Sequence, residues 1–97
     1  MSLIMLNEKD PKVLKSMYAY RREVFREGAL STKEKELIAL ALSSVKQCEK
    51  CLTYHAEEAK KNGATEQEIL EALEVAMYMS GPPAMIWTEE IDRIVNP

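Results

Sequence analysis

Ser31-Thr32-Lys33-Glu34-Lys35-Glu36-Leu37-Ile38-Ala39-Leu40-Ala41-Leu42-Ser43-Ser44-Val45 is the stretch that decides the fold. Its first four residues fit a capping box. The Ser31 hydroxyl accepts from a first-turn backbone N–H, and the Glu34 carboxylate reaches back to the Ser31 N–H. Leu37, Ile38, Leu40, Ala41, Leu42 and Val45 then lie nearly all round the helical wheel, which predicts a buried helix over 33–46. Glu36 stands immediately before this apolar run.

Downstream, Ser43-Ser44-Val45-Lys46-Gln47 weakens helix propensity and turns the chain. A helix over 49–61 follows, with Leu52, Ala56 and Ala59 as its apolar face and Glu57, Glu58, Lys60 and Lys61 outside. Asn62-Gly63 ends it. Thr65-Glu66-Gln67-Glu68 is a second capping box, and Ile69, Leu70, Leu73, Ala76 and Met77 mark a helix over 66–80. Ser80-Gly81-Pro82-Pro83 breaks that helix, and a last one is expected over 83–94. Upstream, Asp10-Pro11 reads as N-cap and first helical residue. Val13, Leu14, Met17, Tyr18, Val24 and Phe25 give a helix over 11–27 with Gly28 as its stop. No segment alternates as a strand would. The expected fold class is all-α, a bundle of helical hairpins in one domain over 1–97.

The balance of 13 Lys+Arg against 16 Asp+Glu gives a net charge of −3, which argues against nonspecific nucleic-acid binding. The short patch Tyr20-Arg21-Arg22 reads as a solvated helix face. No run approaches the ~18 apolar residues of a membrane span, so no membrane partner is expected. Met1–Leu6 lacks the layout of a signal peptide, and the expected location is cytoplasmic. A 97-residue chain builds a modest core, and a homo-oligomer is expected.

The chemistry concentrates in Cys48-Glu49-Lys50-Cys51-Leu52-Thr53-Tyr54-His55, which holds both cysteines and the only histidine. On a helix, positions three and four apart share a face, so two thiols and an imidazole cluster. Cβ atoms three apart in a regular helix lie about 5–6 Å from each other. A disulfide needs roughly 3.5–4.5 Å. Cys48 must therefore sit at the helix edge, where the backbone adjusts, and a reversible Cys48–Cys51 disulfide is expected there. The positive end of the helix dipole favours thiolate at that position. The spacing leaves two roles open for His55, as a base toward the Cys51 thiol or as an imidazolium donor to a thiolate.

The pattern Glu36-x11-Cys48-x2-Cys51-x3-His55 resembles the AhpD-like alkylhydroperoxidase branch of the carboxymuconolactone decarboxylase family. Leu37-Ile38-Ala39-Leu40-Ala41 and Gly63-Ala64-Thr65-x-x-Glu68-Ile69 resemble that family's flanking segments, so the likeness covers about 30–85. It implies an all-helical, oligomeric thiol-dependent peroxidase or disulfide reductase that needs no cofactor or metal. The substrate would be a hydroperoxide or a disulfide, and the electron donor a thiol. Glu36, Cys48, Cys51 and His55 would be the catalytic residues, with the glutamate and histidine relaying protons. One departure is plain: the best-known members of the branch carry another histidine just before the second cysteine, where this chain has Lys50. Lysine at its ordinary pKa supports a thiolate by charge but relays no protons near neutral pH.

Within that scheme Cys51, with His55 one turn on, is expected to attack the peroxide; the opposite assignment stays open, because the dipole field is strongest on Cys48. Cys48, taken as the exposed cysteine at the helix edge, would resolve the sulfenic acid and meet the reductant. Two other readings use the same residues. Cys48, Cys51 and His55 supply three of the four ligands of a closed zinc site. Alternatively, Met77-Tyr78-Met79 with Met85-Ile86-Trp87 would line a ligand pocket or a subunit contact in a noncatalytic oligomeric binding module.

Overall fold

The computed structural model describes residues 2–81 together with 92 and 93. Among the described residues five α-helices are delimited in chain order, α1 (Leu3–Lys9), α2 (Pro11–Phe25), α3 (Thr32–Val45), α4 (Glu49–Lys61) and α5 (Glu66–Ser80). No strand occurs among the described residues. The all-α class is thus correct. The helix expected over 83–94 lies outside the described residues, apart from Asp92 and Arg93, which are helical.

Helices α3, α4 and α5 form the packed body, with α3 against both others. Its core is Leu40, Leu52, Ala56, Ile69 and Leu73, with Leu37 and Ala64 packed on it. Leu40, Leu52 and Ile69 are fully buried, and each such side chain contributes about 1.5–3 kcal/mol. The small Ala56 and Ala59 on α4 are also fully buried. Both capping boxes form. Ser31 Oγ accepts from the Glu34 N–H and Thr65 Oγ1 from the Glu68 N–H, each reciprocated by the glutamate. Lys33 then pairs with Glu68 at 2.8 Å, joining the starts of α3 and α5.

α3 is not buried all round. Its buried residues Glu36, Leu40, Ser43 and Ser44 form one stripe, while Ile38, Leu42 and Val45 are exposed, Leu42 by 56%. The reason is geometric: α4 and α5 together cover only one side of it.

The N-terminal hairpin departs from the sequence reading in three respects. α1 was not anticipated; Ser2 caps it by accepting from the Met5 N–H at 3.1 Å. Asp10 is the N-cap of α2 and Pro11 its first residue as expected, but the Asp10 side chain makes no cap bond, while its N–H closes α1 by donating to the Leu6 carbonyl at 2.8 Å. α2 ends at Phe25, before Gly28, since Arg26 is extended. Two α3 side chains satisfy backbone carbonyls at that end. Thr32 Oγ1 donates to the Phe25 carbonyl at 2.7 Å and Lys35 Nζ to the Arg26 carbonyl at 2.6 Å. No residue of α2 is fully buried.

Candidate active site

The site begins with how α3 stops. After Lys46, Gln47 takes a left-handed conformation at φ 56°. The Gln47 N–H donates to the Ser44 carbonyl and the Cys48 N–H to the Ser43 carbonyl, both at 3.1 Å. These two bonds make a Schellman motif, in which the left-handed position usually belongs to glycine. A side chain there costs roughly 1–2 kcal/mol. The end of α4 repeats the motif with the usual residue: Gly63 sits at φ 92°, and the Ala64 N–H donates to the Ala59 carbonyl at 2.9 Å.

The motif delivers Cys48 in extended conformation to the N-cap of α4. Its Sγ accepts from the Cys51 N–H at 3.4 Å. The sequence argument required an edge position for the first cysteine, and this one meets it. Cys48 and Cys51 form a disulfide with their Cα atoms 5.3 Å apart. Both therefore lie at the positive end of the 13-residue α4. The expected exposures are reversed, however: Cys48 is half-buried and Cys51 is exposed. The Schellman turn ties the Cys48 backbone to Ser43 at the end of α3, whereas Cys51 stands in the first turn of α4.

Helical geometry puts Cys51 and His55, four apart on α4, on one face of it, with Cys48 at its N-cap. His55 faces α3, and its Nδ1 lies 2.7 Å from Glu36 Oε2. The Glu36 side chain is 2% exposed and that of His55 18%. A buried carboxylate needs a partner, and the imidazole supplies it. When neutral His55 donates Nδ1–H to the carboxylate, Nε2 keeps the lone pair and can take a proton. If His55 is protonated, the same contact is an ion pair. Glu36, on α3, is thus brought to the cysteine-bearing helix, as the family resemblance implied.

Three further residues shape the site and were not singled out from sequence. The Phe25 ring stacks on His55 with centroids 5.7 Å apart, and Tyr54 meets it edge-on at 5.1 Å. The Arg21 guanidinium covers the Tyr54 ring at 4.5 Å. The Arg21-Arg22 patch is therefore not wholly a solvated face, since Arg21 is half-buried against Tyr54. These contacts fasten α2 over the imidazole. Only apolar spacing marked Phe25, and spacing does not distinguish core from site. Lys50 is exposed.

A cavity of about 430 Å³ between α2, α3 and α4 is lined by Tyr18, Arg21, Arg22, Thr32, Glu36 and Glu58, among others, and reaches the buried carboxylate from the side of α2. An apolar cavity of about 510 Å³ beside it, lined by Leu14, Met17, Val24 and Phe25 among others, shares Tyr18, Arg21 and Phe25. Among the described residues, no three His, Cys, Asp or Glu side chains are arranged to hold a metal ion. No helix among them is long and apolar enough to cross a membrane.

The model of the carboxymuconolactone decarboxylase family matches residues 11–91. A Paracoccus denitrificans protein called uncharacterized protein 4 in cox locus is 43% identical over 61 residues, 63% of this chain. The chain spans 55% of that relative's length. An uncharacterized protein of Cupriavidus necator is 27% identical over 85 residues, 88% of this chain and 75% of its own. Among solved structures, a carboxymuconolactone decarboxylase family protein from Legionella pneumophila superposes with a TM-score of 0.89 at 33% identity, covering 96% of this chain and 83% of its own. A Thermotoga maritima protein of that family, described as a candidate for involvement in antioxidative response, gives a TM-score of 0.83 at 28% identity over 96% of this chain and 80% of its own.

Proposed function

The chain belongs to the carboxymuconolactone decarboxylase family, and from that premise we propose that it is a thiol-dependent peroxidase, or a disulfide oxidoreductase working by the same thiol chemistry. The observation that carries this reading is the buried Glu36–His55 pair, with His55 one helical turn after Cys51 of the Cys48–Cys51 disulfide. A redox pair joined to a proton relay has the parts needed to reduce an O–O or S–S bond.

In the dithiol form, His55 Nε2 takes the Cys51 proton, and Glu36 stabilises the resulting imidazolium. The Cys51 thiolate attacks the near peroxide oxygen. A sulfur–oxygen bond forms, the O–O bond breaks, and the leaving alkoxide takes the proton back from His55. The Cys48 thiolate then attacks the Cys51 sulfenic acid, hydroxide leaves and is protonated, and the disulfide closes. An external thiol restores the dithiol. Lys50 supplies positive charge near the helix start without entering the relay. Cys51→Ser tests the scheme: turnover of an organic hydroperoxide with a dithiol donor should be abolished.

The Thermotoga relative's description supports the antioxidant direction. A reducing compartment such as the cytoplasm suits a pair that must be reopened each cycle. We also propose that the working form is a homo-oligomer, because α2 leaves Met17, Tyr20 and Val24 exposed and α5 leaves Val75, Tyr78 and Met79 exposed. Such apolar surface is characteristic of an interface.

A further inference from the structure

We propose that electrons enter at Cys51, with Cys48 as the leaving sulfur. This rests on the redox reading of the pair and adds the direction of its reductive half. An external thiolate, R–S⁻, attacks Cys51 Sγ. The R–S–Sγ(Cys51) bond forms, the Sγ(Cys51)–Sγ(Cys48) bond breaks, and its electron pair leaves on Cys48 Sγ as thiolate. A second R–S⁻ attacks the R sulfur of this mixed disulfide. R–S–S–R departs, Cys51 thiolate is freed, and both thiolates take protons from water as needed. Two thiols are oxidised and one disulfide is reduced.

Two independent observations set this direction. The first is access. A nucleophile must approach along the S–S axis from beyond the sulfur it attacks, so that sulfur must face solvent. Cys51 is exposed, and Cys48 is half-buried against the end of α3. The second is the stability of the departing thiolate, since the better-stabilised sulfur leaves faster. Cys48 occupies the N-cap, and the Cys51 N–H already donates to its Sγ at 3.4 Å. That bond strengthens as the sulfur becomes anionic. The Cys48 backbone is held on both sides, its N–H by the Ser43 carbonyl at 3.1 Å and its carbonyl by the Leu52 N–H at 2.9 Å, so the sulfur stays over the helix start as the disulfide opens. Access and leaving ability therefore point the same way. The same sulfur meets peroxide and reductant, and Cys48 remains sheltered throughout.

The sequence provides a clean readout, because cleavage after Lys46, Lys50 and Lys60 puts Cys48 and Cys51 in separate peptides. Oxidised wild-type protein is pulsed with millimolar glutathione, quenched rapidly with N-ethylmaleimide and mapped without reduction. The expected result is glutathione on the Cys51 peptide and maleimide on the Cys48 peptide, in excess by roughly tenfold or more over the reverse arrangement. Glutathione on Cys48, an even distribution, or a disulfide that glutathione leaves closed would overturn the proposal. Peroxide plays no part in this measurement, so loss of the peroxidase reading and loss of this one are distinguishable.

Discussion

Glu36 Oε2 and His55 Nδ1 lie 2.7 Å apart across the α3–α4 interface, with the carboxylate almost wholly removed from water. Neither residue is near the other in sequence; the capping box that starts α3 and the Schellman turn that ends it set their register. The pair gives the imidazole one orientation, which a proton relay requires.

Glu36→Gln keeps the shape and removes the charge. If Glu36 acts through His55, peroxide turnover should fall by roughly 10²–10⁴. Opening of the disulfide by glutathione should change far less, since that step needs no relay. Steady-state turnover and the glutathione pulse, measured on the same variant, check both halves. Equal turnover in wild type and variant would remove Glu36 from the mechanism.

The two left-handed caps make opposite predictions. Gln47→Gly should stabilise the protein by about 0.5–1 kcal/mol, because glycine takes φ 56° without a Cβ penalty. Gly63→Ala should destabilise it by about 1 kcal/mol, since nothing lies within 4 Å of the added Cβ and the φ of 92° is the whole difficulty. Denaturant midpoints of the two variants against wild type check this. A destabilised Gln47→Gly would mean that the glutamine side chain makes a contribution of its own.

Stability should also depend on the α5 cap in acid. The Lys33 ammonium, and then the Thr65 backbone N–H, hold the Glu68 carboxyl below its ordinary value. A depressed folded pKa gives stability that is present above the unfolded value and is lost as pH falls through the folded one. Glu68→Gln should therefore melt below wild type at neutral pH, and the gap should close as the pH falls below the carboxylate range. Melting curves at several pH values decide it. A gap that persists in strong acid would assign the effect to shape rather than charge.

Light scattering at micromolar concentration should give a mass above that of one chain. Tyr20 is 74% exposed and Tyr78 83%, and the proposed homo-oligomer would cover apolar surface of this kind. A monomer would contradict the homo-oligomer. Tyr78→Glu should lower the mass if α5 forms the contact.

Much of the fold could be read in the residues because local rules and packing agree over residues 31–80. Two capping boxes fixed the starts of α3 and α5, and Leu52, Ala56 and Ala59 marked the buried side of α4. The N-terminal hairpin was less legible for a physical reason. α1 is one short helix with a single buried residue, Leu6, and its end shares Asp10 with the next helix. At the site, the Cys-x-x-Cys spacing located the disulfide. It carried no information about exposure, because which sulfur is sheltered depends on the left-handed turn at Gln47, and glutamine does not advertise such a turn. Phe25 was read only as part of an apolar face and Arg21 only as part of a solvated patch, for a related reason: their role comes from side-chain contacts between α2 and α4, which have no local signature.

The central claim is most directly tested by single-turnover consumption of an organic hydroperoxide by the reduced protein and its two cysteine variants. Reduced wild type should lose two thiols per peroxide consumed, faster than a free thiol, and close the Cys48–Cys51 disulfide. Cys48→Ser should consume one equivalent and leave a sulfenic acid that dimedone traps on Cys51, while Cys51→Ser should be inert. Single turnover by Cys51→Ser with an inert Cys48→Ser would reverse the two roles. Reaction of all three proteins at the rate of a free thiol would contradict the account.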